Sequence, residues 1–155
     1  KFLADKGVEV VEKTGTTTDE VNQAVDALIA EKVDAIFTPT DNTIQKAELS
    51  FYEKLQKAKI PHYGGADSFA LNGAFAGYGV DYVQLGKATA DMVDEVLHGG
   101  KETATLPVQT FDNGIATVNI DTAEKLGFSM DELKEVFKPY CTKVKEIKTN
   151  QEFAK

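Results

Sequence analysis

The sequence predicts an α/β fold built on a doubly wound, mostly parallel sheet. Three observations carry that expectation. Short apolar runs at residues 33–38, 60–64 and 74–80 suit buried strands, and they alternate with segments whose apolar residues recur at helical spacing. Polar residues gather just after those runs, at Thr40-Asp41-Asn42, Asp67-Ser68 and Asp81-Tyr82, where open α/β sheets receive their ligands. Consecutive strands joined through helices run parallel, so these polar groups fall along one edge.

The elements follow in order. Residues 8–13 alternate weakly and read as a first strand, with a turn at Gly15 and the threonines after it. Thr17 with Glu20 fits a capping box, opening a helix whose apolar face is Val21, Ala24, Val25, Leu28 and Ile29. The strand at 33–38 stops at Pro39. Behind it Ile44, Ala47, Phe51, Leu55 and Ala58 mark a helix over 43–57, which Asn42 is placed to cap with Gln45 as reciprocal partner. A short strand at 60–64 runs into the turn Gly64-Gly65-Ala66-Asp67-Ser68, and 74–80 is a strand thin in side chains. Tyr82, Leu85, Thr89, Met92, Val93 and Val96 form a helical stripe that ends at Gly99-Gly100. Residues 107–111 and 115–120 read as strands joined through Asp112-Asn113-Gly114, which breaks the strand–helix rhythm. Asp121 with Glu124 predicts a short helix ended by Gly127, and Ser129 with Glu132 another stopped by Pro139. Residues 143–155 are polar and read as a frayed tail or an added helix.

Composition narrows the function classes. At 155 residues the chain can bury one good core, and a single domain is the default. No apolar run is long enough to span a membrane as a helix. A formal net charge of −8 argues against nucleic acid, which needs a basic face. All 17 basic residues are Lys, so there is no guanidinium fork for bidentate carboxylate or phosphate recognition. The single cysteine, Cys141, has no partner for an internal disulfide and reads as a bystander thiol.

Catalysis finds little support. His62 lies inside a strand and His98 in the last turn of a helix, where a cation suits the dipole; packing or capping accounts for both. No serine sits in a nucleophile elbow, and Gly73, Gly77 and Gly79 lack dinucleotide-fingerprint spacing. No cluster has metal-ligand spacing, and nothing implies a cofactor.

The edge itself is more informative. Carboxylates at Asp41, Asp67 and Asp81 suit a ligand ammonium, while a helix amino terminus suits a ligand carboxylate. An edge with both fits a zwitterion, which makes a small amino acid the expected ligand. Tyr63, Tyr78 and Tyr82 lie near the same edge and can stack on a planar ligand or simply pack. For Asp81 the plainer role is capping the next helix; for Asp67 it is a solvated turn.

These segments resemble the substrate-binding proteins of ABC transporters, in the group whose characterised members bind tryptophan and tyrosine. The likeness rests on Val33-Asp-Ala-Ile36, Pro39-Thr-Asp-Asn-Thr43, Lys59-Ile-Pro61, Gly79-Val-Asp-Tyr82, Leu85-Gly86 and Asn119-Ile-Asp-Thr-Ala123, and extends over residues 8–128. It implies a Rossmann-like lobe of a type 1 periplasmic binding protein, in which two lobes close on a ligand. The chain would be the carboxyl-terminal half. Residues 1–80 and 115–140 would form the lobe, 81–114 the inter-lobe crossing with a helix of the other lobe, and 141–155 a tail. The partners implied are a small amino acid and an ABC permease, with no nucleic acid; the location is extracytoplasmic, periplasmic or tethered as a lipoprotein. With the second lobe absent, the 82–97 helix is expected either to dock on its own lobe or to pair two copies into a homodimer.

Two rival readings stay open at this point. A repressor's effector-binding domain shares this fold class, and an upstream DNA-binding helix pair would decide for it. A catalytic α/β domain would turn over a substrate, but no nucleophile–base pair is visible.

Overall fold

A computed structural model describes residues 2–110 and 114–150. The elements in chain order are α1 (Thr18–Ala30), β1 (Ile36–Thr38), α2 (Asn42–Ala58), β2 (His62–Gly64), α3 (Asp67–Asn72), β3 (Ala76–Val80), α4 (Tyr82–Leu97), β4 (Gly114–Asn119), α5 (Ile120–Leu126), α6 (Met130–Phe137) and β5 (Lys143–Ile147). The strands form one sheet in the order β1-β2-β3-β4-β5. β1, β2 and β3 are mutually parallel, β4 runs antiparallel to β3, and β5 is parallel to β4. The α/β, mostly parallel expectation is borne out.

Strand alternation assigns the faces. Ile36 pairs with His62 and Phe37 with Tyr63, so Ile36 and Tyr63 point to opposite sides. Ile36 packs with Val21 and Val25 of α1 and Ala47, Phe51 and Leu55 of α2. Tyr63 packs instead with the cluster of Phe75, Ala76, Val118, Ala123 and Leu133, which α5 and α6 complete. Helices therefore cover both faces. The cover is uneven, because Phe37 of β1 is 70% exposed on the face that α6 closes only farther along the sheet.

The capping box is present as read: Thr17 accepts from the Glu20 amide, and the Glu20 carboxylate accepts from the Thr17 amide. Other local expectations are corrected. Residues 8–13 pair with no strand and are exposed, and a strand without a ladder partner has nothing to hold it. Asn42 does not cap α2. Asp41 does, because it occupies the extended position before the helix and reaches two amides. Asn119 rather than Asp121 caps α5, accepting from the Thr122 amide, while Asp121 accepts from Thr149. Ser129 precedes α6 without a side-chain cap bond. Residues 107–110 form no strand, and Phe111, Asp112 and Asn113 lie outside the described residues. Residues 143–147 are neither frayed nor helical but pair with β4 along its free edge.

α4 stands apart. None of its residues is buried, and Tyr82, Val83, Val93 and Leu97 are exposed. Docking of this helix on its own lobe, one of the two expected outcomes, is not what the structure shows.

Candidate ligand edge

Because β1, β2 and β3 are adjacent and parallel, their carboxyl ends lie side by side. Thr40, Asp41 and Asn42 follow the first, Asp67 and Ser68 the second, Asp81 and Tyr82 the third. The first two loops are tied directly. The Gly65 amide donates to the Thr38 carbonyl at 3.0 Å, and the Thr40 hydroxyl donates to the Gly65 carbonyl at 2.9 Å. The second loop lies flat on β3, where a side chain at Gly77 would collide with the Ala66 carbonyl. That close approach explains why β3 carries so few side chains.

Asp41 and Asp81 behave alike. Asp41 Oδ1 accepts from the amides of Thr43 (2.8 Å) and Ile44 (2.9 Å), and Asp81 Oδ1 accepts from Val83 (3.0 Å) and Gln84 (3.2 Å). In each, Oδ2 takes no hydrogen bond from the described residues. Capping and ligand contact are therefore not alternatives for these residues: one oxygen orders the helix and the other remains available. Asn42, in the first turn of α2, is exposed with its amide unengaged. Asp67 and Ser68 are the half-buried first residues of α3, not a solvated turn, and Ala66 provides no side-chain cap there. Thr40 spends its hydroxyl on the neighbouring loop, so its part is to position.

The tyrosines separate. Tyr63 is half-buried edge-to-face with Phe75 at 5.4 Å, and burial pushes its hydroxyl above the ordinary tyrosine range, which makes it a core residue. Tyr78 is exposed and donates to the Tyr140 carbonyl at 2.9 Å. Tyr82 is 60% exposed at the start of α4, and its ring is the most exposed of the three.

One feature behind the edge escaped the sequence reading. Glu48 of α2 and His62 of β2 are buried together, Oε1 and Nδ1 3.1 Å apart, and His62 Nε2 is hydrogen-bonded to the Thr38 hydroxyl at 2.8 Å. Burial pushes the Glu48 carboxyl above the ordinary carboxylate range; His62, Asn72 and the Ala74 backbone oppose this. The signal was present, since Glu48 sits four residues after Ile44 and three before Phe51, on the apolar stripe. The other sequence-flagged groups are local: His98 pairs with Asp94 at 2.6 Å on an exposed surface, and the Cys141 thiol donates to the Phe137 carbonyl. Among the described residues no three His, Cys, Asp or Glu side chains are grouped to hold a metal.

Residues 1–139 match the family described as ABC transporter substrate binding protein. The chain belongs to this family. A tyrosine-binding protein of Clostridioides difficile (strain R20291) is 35% identical over 138 residues, covering 87% of this chain and 39% of that protein. A ligand-free, open substrate-binding protein with adhesive properties from Clostridium difficile superposes with a TM-score of 0.75 at 30% identity, covering 96% of this chain and 47% of that one. An ABC domain from Streptococcus pneumonia in complex with L-Trp superposes with a TM-score of 0.71 at 31% identity, covering 93% and 48%. The chain thus spans about half the length of the solved substrate-binding proteins it resembles. These relatives are binding proteins rather than enzymes, which fits a solute-binding role. Among the described residues no helix is long and apolar enough to cross a membrane.

Proposed function

We propose that this chain forms the carboxyl-terminal lobe of a two-lobed receptor that captures a small amino acid, with tyrosine and tryptophan the first ligands to test. Residues 1–80 and 115–140 form the lobe, β5 of the 141–155 segment extends its sheet, and 81–114 cross to the second lobe. The observation that carries the reading is the pair of capping aspartates. Asp41 and Asp81 each hold a helix start through Oδ1 and leave Oδ2 at the same sheet edge, where a ligand ammonium has a charge-assisted partner. Asn42, Asp67 and Ser68 lie along that edge, and the exposed Tyr82 ring supplies a flat apolar surface. Ligand bound between the lobes is released to an ABC permease, on the outer side of the membrane where a lipoprotein anchor or the periplasm keeps the receptor. The bare α4 stripe would be covered by the second lobe in the full-length protein and by a second copy in this chain alone.

Calorimetry on the full-length protein tests the reading. L-tyrosine or L-tryptophan should bind, and Asp41→Ala should weaken binding about tenfold or more, since a charge-assisted hydrogen bond is worth roughly 1.5–3 kcal/mol. Unchanged affinity in a folded Asp41→Ala protein would reduce Asp41 to a helix cap. Light scattering of this chain across a concentration series reports the second copy, and a strict monomer would remove the homodimer.

A further inference from the structure

The geometry points to Glu48 and His62 as positioning residues: a buried pair that pins α2 against β2 beneath the loops and so sets ligand affinity without touching ligand. This rests on the ligand edge proposed above and adds to it the wall behind that edge. The pair links all the elements that carry the first two loops. Glu48 belongs to α2, whose first turn holds Asp41 and Asn42. His62 belongs to β2, which ends at Gly64 and delivers Gly65. Thr38, hydrogen-bonded to His62 through its hydroxyl, takes the Gly65 amide on its carbonyl, and Gly65 in turn holds Thr40. Asn72 of α3 closes the circuit by donating to the Gln45 carbonyl of α2 at 3.3 Å.

The arrangement is poor as a stabiliser, which is the reason to look for another role. Glu48 is 0% and His62 2% exposed, and they are flanked by the rings of Phe51 and Phe69. Glu48 Oε1 meets His62 Nδ1 at 3.1 Å with Asn72 and the Ala74 backbone beside the carboxyl, and among the described residues the Asn72 side-chain oxygen is buried without a partner. Buried polar atoms left in this state cost stability, and an apolar replacement of the whole pair is often neutral or better. Among the described residues no other ionisable side chain pairs with either member. Of the groups packed against them, Thr38 of β1, Phe51 of α2, and Phe69 and Asn72 of α3 are uncharged.

The test uses the full-length protein, L-tyrosine and L-tryptophan as probes, and two variants. Glu48→Leu with His62→Leu removes both polar members together. It should fold with a melting temperature no lower than wild type, yet bind the amino acid roughly tenfold more weakly, as expected when a coupling element is lost. Amide hydrogens of Thr43, Ile44 and Gly65 should exchange faster. Glu48→Gln keeps the shape and replaces the carboxyl, and should move affinity and amide exchange in the same direction as the double variant, by less. A folded double variant with wild-type affinity and wild-type exchange overturns the assignment. So does a Glu48→Gln protein with wild-type affinity and wild-type exchange, which decides the matter if the double variant does not fold. If wild type binds neither amino acid, the ligand reading fails, and the exchange comparison still tells whether the pair positions the loops.

Discussion

α2 and α4 are near twins in sequence logic and opposites in surroundings. They span 17 and 16 residues, each carries an apolar stripe, and each is capped by an aspartate whose Oδ1 takes two amides. α2 buries Ala47, Glu48, Phe51, Tyr52, Leu55 and Gln56; α4 buries nothing. Local signals thus suffice to write a helix, whereas its contribution to stability is decided by what lies across from it. Most helical stability in folded proteins comes from packing of the apolar face rather than from propensity.

That contrast can be broken in stages. The largest effect should come from Phe51→Ala, which empties a fully buried site between α2 and the sheet and should cost about 3–5 kcal/mol by denaturant unfolding. A loss below about 1 kcal/mol would mean that the α2 face is far less tightly packed than it looks. Next comes pH. Burial raises the Glu48 carboxyl in the folded state, so its contribution to stability is greatest below the ordinary carboxylate range and is lost as pH rises through the folded value. Denaturant midpoints should show this decline in wild type and a flatter profile in Glu48→Gln; identical slopes would place the titration elsewhere. The capping aspartates give a smaller and sharper comparison. Asp41→Ala should lower global stability by about 0.5–2 kcal/mol, while Asp81→Ala should reduce helical signal with little movement of the midpoint, because α4 is not coupled to the core. Equal midpoint shifts would show that α4 is packed in solution. Smallest of all, Val93→Ala on the exposed stripe of α4 should change the midpoint of this chain by less than roughly 0.5 kcal/mol.

The sequence was most legible where structure is local. Thr17 and Glu20 were read as a capping box because both halves of the bond lie within four residues. The strands at 33–38, 60–64 and 74–80 are legible as apolar runs, and their parallel order brings the three loops together. What escaped depends on distant partners. Residues 8–13 alternate like a strand but find no ladder, and 143–147 look like a polar tail but find one on β4. Asn42 and Asp41 both suit an N-cap, and only backbone geometry chooses between them. At the candidate site the residues were legible but their division of labour was not: Thr40 ties loops, Tyr63 fills the core, and Glu48 hides a carboxyl within an apolar stripe.

The short strand β5 has a practical consequence for anyone trimming this protein. The sequence match to the family as a whole ends at residue 139, which invites a boundary just after Pro139. Such a cut would remove Lys143–Ile147 from its pairing with β4, and with it the anchoring of Thr149 to Asn119 and Asp121 and of Asn150 to the Leu71 carbonyl. The sheet would then end in an open row of amides and carbonyls from Ile115 to Asn119, the kind of edge that recruits strands from other molecules. The lysines of β5 are part of the protection, since charged side chains on an outermost strand discourage further addition. A boundary chosen from sequence similarity alone would turn a lysine-guarded border into an adhesive one.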